Sequence, residues 1–208
     1  MDGPTDPFMF LAWVALISVS GVVAPGPIFA TTLARGLGDS RAGLRISLGH
    51  GLIEVPLIIA IFFGLMAILQ DTSVLAGIGI VGGAFLLYMG VGMFRTKATG
   101  AEDHESKYGS LTAGALLTAA NPYFLLWWAT VGAALISMAA GFGLWMLPLF
   151  AVVHLACDFA WLQFLSFSVH RSRGLGGGKW FRALYMVCGA MLVFFALYFI
   201  YGSVTSLL

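Results

Sequence analysis

An all-α integral membrane protein of six transmembrane helices, arranged as two inverted three-helix repeats with helices 1 and 4 broken at prolines, is what the sequence predicts. Three observations carry that expectation: long stretches without charge, basic residues confined to alternate connections, and proline breaks at corresponding places in the two halves. Of the 208 residues 60% are hydrophobic and only 9% charged, and the mean hydropathy is +0.97. A soluble domain carries roughly 25% charged residues, so this chain lacks the polar surface of a soluble enzyme or nucleic-acid binder. Ten Lys+Arg against nine Asp+Glu leave a formal net charge of +1, which points to no acidic partner.

No charged residue falls between Asp6 and Arg35, between Asp71 and Arg95, between Lys107 and Asp158, or after Arg182. About 20 apolar residues cross a hydrocarbon core roughly 30 Å thick, so every gap is long enough to span. The gap from Tyr108 to Cys157 would be about 75 Å long as one helix and must turn back, with the weakest helix around Ser137 to Gly143. Adding Ile46 to Gln70, interrupted only by Glu54, gives spans at 8–34, 46–69, 73–94, 110–136, 143–168 and 181–204. Every Lys and Arg lies in connections 1–2, 3–4 or 5–6: Arg35, Arg41, Arg45; Arg95, Lys97, Lys107; Arg171, Arg173, Lys179, Arg182. By the positive-inside rule these face the cytoplasm and both termini face outward, in a multi-pass protein of the cytoplasmic membrane. A cleaved signal peptide over residues 8–24 fits poorly, because no basic residue precedes the apolar run.

Residues 1–208 then form one transporter domain, with repeat one at 8–94, a cytoplasmic linker at 95–109 and repeat two at 110–204. Three spans per half is an odd number, so the second half enters from the opposite side, as in inverted-repeat transporters. The Gly174–Gly178 run reads as a flexible connection.

The first span holds Ala24-Pro25-Gly26-Pro27, and the first span of the second half holds Ala120-Asn121-Pro122. Each proline lacks an N–H and clashes with the carbonyl four residues earlier, which predicts lost helical bonds at Gly21, Val23 and Thr118. Exposed backbone is tolerated at membrane depth only against protein or an aqueous cavity. A packing kink explains one such break, whereas paired breaks opening both halves point to a binding site.

The second span carries His50 and Glu54, and the fifth carries His154 and Asp158. A spacing of four puts each histidine and carboxylate on one helical face. Glu54 and Asp158 are the only acids inside the predicted spans, where a charge costs at least about 2.5–3.5 kcal/mol and marks a pathway or relay. The alternative is two self-contained histidine–carboxylate pairs that hold helices together, and it stays open for the histidines. Counting from the basic flanks places Pro27 and Glu54 about 12–13 Å deep, and Asn121 and Asp158 about 20 Å deep. Each break therefore shares a level with its half's acid.

The Pro25-Gly26-Pro27 break, the Arg-containing turn with Ala42-Gly43, and Gly49-His50-Gly51-Leu52-Ile53-Glu54 resemble the lysine-exporter (LysE/RhtB-type) translocator family. Leu117-Thr118-Ala119-Ala120-Asn121-Pro122 is similar to that family's second Asn-Pro break, and the likeness covers nearly the whole chain. The resemblance implies a secondary transporter, not an enzyme, that exports amino acids or similar small amines in exchange with protons. By the buried charges and the paired breaks, substrate and proton would be handled by Glu54, Asp158, His50, His154, Pro25, Gly26, Pro27, Asn121 and Pro122. The joint presence of His154 and Asp158 departs from the motifs that carry the resemblance.

A divalent-metal exporter is the alternative, because His50, Glu54, His154 and Asp158 are two imidazoles and two carboxylates suited to transition metals. His104 and His170 stand isolated in polar connections and add no delivery tract. Cys157 and Cys188 sit in apolar spans away from the breaks, which argues against a thiol relay. Trp127, Trp128 and Trp161 read as packing residues that could also line a cavity. Gly79 and Gly83 form a small-xxx-small pair for helix packing, as a purely structural membrane subunit would also need. No cofactor and no nucleic acid are expected. The expected partners are a small-molecule substrate and the lipid bilayer, with a homo-oligomer left open.

Overall fold

Asp6 starts the first helix, α1 (Pro7–Val22), by accepting the Met9 N–H at 2.9 Å, and Pro7 occupies the first turn, where its missing N–H costs nothing. The computed structural model describes residues 4–24, 26–65, 71–95, 109–172 and 178–207. After the first break α2 (Pro27–Gly38) leaves at 76° to α1. The second span is α3 (Ala42–Ala60), prolonged by a widened turn to Leu65 in which Gly64 takes φ 109°, a left-handed conformation that suits glycine. The third is α4 (Thr72–Arg95). The fourth span is assembled from α5 (Ser110–Ala119), α6 (Pro122–Trp127), a widened turn (Trp128–Gly132) and α7 (Ala133–Gly141). It is followed by α8 (Met146–Ser172) and α9 (Gly178–Ser206). With α1 and α2 taken as one bent span, six segments are long and apolar enough to cross a membrane, and no strand occurs among the described residues.

Helix ends differ from the expected spans for one physical reason: charge marks the edge of the hydrocarbon, not the end of the helix. Arg45 and Arg171 lie inside α3 and α8, and Lys179 lies in the first turn of α9, so these helices extend past 46, 168 and 181. His170 is accordingly not in a connection but in the last turn of α8, where its Nδ1 lies 3.2 Å from the Gly36 carbonyl. The hairpin after the fourth span comes slightly later than expected, with Gly141 still helical and Gly143 turning at φ 105°. Pro25, most of the 95–109 linker and residues 174–177 fall outside the described residues, and Gly178 belongs to α9.

Two expected carbonyl vacancies are corrected. Gly21 accepts from the Ala24 N–H at 3.2 Å and Thr118 from the Asn121 N–H at 3.1 Å. The chain tightens into i→i+3 turns ahead of each break, which satisfies the carbonyls that the prolines would strand.

α1 and α2 pack on α8, α5 packs on α3, α3 on α8, and α4 on α9. Glycine sets how closely these helices approach. A Cβ on Gly49 would meet the Leu111 carbonyl, one on Gly114 the Ile46 carbonyl, and one on Gly43 the Leu162 carbonyl. Gly79 and Gly83 face Ser203 and Ile200 of α9, so the small-residue pair is used within the chain. Gly49→Ala is expected to destabilise the protein in detergent by about 1–3 kcal/mol, because backbone must move to admit the methyl. Gly77→Ala, with open space around it, is expected to be neutral. Equal thermal midpoints for the two variants would contradict this packing.

Candidate functional site

The buried stripe of α3 runs Gly43, Ile46, Ser47, His50, Glu54, Ile58, and that of α8 runs Phe150, His154, Asp158, Leu162. The spacing of four thus aims both ionisable pairs inward, and the glycine contacts bring the two stripes together. Exposure falls to 1% at Glu54, 4% at His154, and 6% at both His50 and Asp158.

The two pairs are not self-contained. Glu54 Oε1 lies 3.1 Å from His50 Nε2 and 3.2 Å from His154 Nε2, and it accepts the Trp128 indole N–H at 3.2 Å. Each imidazole is held from behind by a hydroxyl from the other half. His50 Nδ1 is 2.8 Å from Thr118 Oγ1 of α5, and His154 Nδ1 is 2.7 Å from Ser18 Oγ of α1. Thr118 Oγ1 donates its own hydrogen to the Gly114 carbonyl at 2.7 Å, so it accepts from His50 Nδ1–H. His50 Nδ1 therefore carries a hydrogen, and the contact between His50 Nε2 and Glu54 Oε1 shares a single further proton, whichever atom holds it.

Asp158 is different. Its oxygens lie 3.8 Å from His50 Nε2 and 3.6 Å from His154 Nε2, beyond hydrogen-bond reach. Asp158 Oδ2 and Glu54 Oε2 are buried with no hydrogen-bond partner among the described residues. A buried oxygen left in this way costs about 1–3 kcal/mol, more when charged, and marks where a donor belongs.

All four ionisable side chains line one cavity of about 150 Å³, together with Gly26 and Pro27 of the first break and Asn121 of the second. The depth argument from the sequence had put breaks and acids at common levels, and the structure places them around one space. Gly26 gives α2 no side-chain cap, so no side chain covers the anion-attracting end of the helix, where Ile28 and Phe29 line the cavity. Asn121, in contrast, caps α6 by accepting the Tyr123 N–H at 3.1 Å. Pro122 opens α6; its side chain, like Pro25, is outside the described residues.

Trp127 and Trp128 also line the cavity, whereas Trp161 stacks on Phe164 instead. Sequence reasoning passed over the Ser18 and Thr118 hydroxyls. Hydroxyls are common in membrane helices, and only the placement of a histidine from another span distinguishes these two. Cys157 is a free thiol, and the Cys188 side chain is outside the described residues.

His50, Glu54 and Asp158 each offer an atom within 4.8 Å of the others, a spacing that a metal ion could bridge. Opposing this, Trp128 turns an N–H toward the Glu54 carboxylate at Oε1, and the positive end of α2 lines the same space.

Comparison with known proteins bears on the whole chain. The family described as LysE type translocator matches residues 19–203. The chemotactic transduction protein ChpE of Pseudomonas aeruginosa is 30% identical over 124 residues, which cover 57% of this chain and 61% of that protein. The match thus spans less than two thirds of that relative's length. No solved structure matches the chain.

Proposed function

Because the chain belongs to the LysE type translocator family and is a multi-pass helical membrane protein, we propose that it is a secondary exporter of amino acids across the cytoplasmic membrane, coupled to protons. The observation that carries the reading is the pairing, on one cavity, of a buried carboxylate without a hydrogen bond and a helix N-terminus without a cap. These are the complements of an ammonium and a carboxylate held a few ångströms apart, as in an α-amino acid.

Asp158 takes the ammonium, and the Ile28 and Phe29 N–H groups take the carboxylate. The proton shared by His50 and Glu54 is the coupling proton. Alternating access comes from rocking one half against the other. Two relations support an inverted repeat: the broken first span packs on the fifth as the fourth packs on the second, and each central histidine bonds a hydroxyl of the other half.

Purified protein in liposomes loaded with unlabelled amino acids is expected to take up the same labelled amino acid by counterflow. No uptake for any of the twenty would remove the reading. Zinc or manganese bound stoichiometrically, together with metal flux, would favour the metal reading, which rests on the 4.8 Å clustering.

The proposed topology puts both termini outside and the basic connections in the cytoplasm. An impermeant maleimide added to intact cells is then expected to label Ser73→Cys, at the exposed start of α4, and not Ser106→Cys. Labelling of the second alone would invert the orientation.

A further inference from the structure

Resting on the exporter reading above, we infer that the carried amino acid has an uncharged, apolar side chain, seated against Leu86, Leu192 and Phe195. The polarity of the cavity is one-sided. Its two acids and two histidines all come from α3 and α8, while α6 adds the neutral Tyr123, whose ring lies 6.3 Å from that of Phe195. The third span of each half contributes only apolar groups, Leu86 from α4 and Leu192 and Phe195 from α9. Leu86 and Leu192 are each 2% exposed and belong to one apolar cluster, against which Phe29 and Phe195 also pack. α4 meets the broken helix α6, and α9 meets α2, so the breaks lie between the charged wall and the apolar wall.

Size agrees with this division. A cavity of about 150 Å³ is the size that takes a benzene-sized group, the scale of a valine, leucine or methionine side chain. The α-ammonium and α-carboxylate occupy the polar wall and leave the side chain to the other. A dibasic amino acid would need a second anion at the far end of its stem. Both buried acids instead lie at one end, close enough to share a cluster, and Glu54 Oε1 already faces three nitrogens. A lysine ammonium would then be buried against leucine and phenylalanine without an anion to pair with, which disfavours it heavily. An acidic side chain fails for the same reason.

Counterflow in liposomes tests this with leucine, valine, methionine, phenylalanine, lysine and aspartate compared at equal concentration. Leucine-sized apolar substrates are expected to exchange about 100-fold or more faster than lysine or aspartate. Lysine or aspartate exchanging as fast as leucine, or exchange of none of these six while another amino acid exchanges, would overturn the inference and leave the exporter reading intact; exchange of none of the twenty would sink the exporter reading itself. Phe195→Ala and Leu86→Ala, which enlarge the seat, are expected to raise the phenylalanine-to-leucine rate ratio about tenfold. That ratio is insensitive to how much protein folds, and an unchanged ratio in both variants would remove these residues from the seat.

Discussion

Asp158→Asn is expected to reduce amino-acid counterflow about 30-fold or more while leaving the thermal midpoint in detergent nearly unchanged. The two halves of that expectation have separate causes. Asp158 makes no hydrogen bond within the described residues, so the fold loses no bond when the charge is removed. Removal even relieves the cost of burying a carboxylate that no hydrogen bond satisfies, at the loss of its longer contacts of 3.6 and 3.8 Å to the histidines. On the proposed binding mode the substrate, in contrast, loses the anion that neutralises its ammonium. Truncating one partner of a buried, hydrogen-bonded charge pair costs about 2–5 kcal/mol, and each 1.4 kcal/mol is tenfold in affinity. Asparagine keeps size and shape, so packing does not confuse the result. Counterflow at the normal rate would show that the ammonium binds elsewhere, and a large fall in midpoint would show that Asp158 is structural.

Much of the architecture was readable because the membrane simplifies it. Each long uncharged gap had to be a span, and Glu54 and Asp158 stood out because so few charges lie inside. The i,i+4 histidines could be placed on the same faces from spacing alone. What the sequence withheld was how the two pairs meet. Glu54 Oε1 gathers both histidines only because Gly43, Gly49 and Gly114 let α3 close on α8 and α5 to backbone contact. Glycines are numerous in this chain, and nothing local marks which ones face a carbonyl. The carbonyls behind the prolines were misjudged for a related reason: an i→i+3 closure needs no special residue and leaves no signature. The unequal roles of the two acids were also hidden, since they follow from differences of a few tenths of an ångström between the contacts of 3.1–3.2 Å at Glu54 and 3.6–3.8 Å at Asp158.

Those unequal roles separate a second variant from the first. Glu54→Gln is expected to keep counterflow within a few-fold of normal but to abolish accumulation driven by a proton gradient. The glutamine oxygen, in the place of Oε1, can still accept the Trp128 N–H. A turn of the amide brings its N–H, in the place of Oε2, which has no partner among the described residues, toward His50 Nε2, whose ring is fixed by the Thr118 bond as a donor through Nδ1. The links from Glu54 to α8 and to the turn after α6 are worth about 0.6 kcal/mol each by the average for such bonds in membranes, so losing one leaves the fold intact. The proton balance, however, changes in kind. On the proposed coupling, with glutamate one proton moves between a carboxylate and an imidazole and is taken up or released as the cavity faces either side. With glutamine that proton is covalently fixed on an amide. For one proton per substrate, a gradient of one pH unit corresponds to 1.36 kcal/mol, or about tenfold accumulation. The wild type is expected to approach that ratio and Glu54→Gln to stay near unity. Accumulation by Glu54→Gln at the wild-type ratio would move the coupling proton off the His50–Glu54 pair, and the same loss in Asp158→Asn without loss of counterflow would assign it to Asp158.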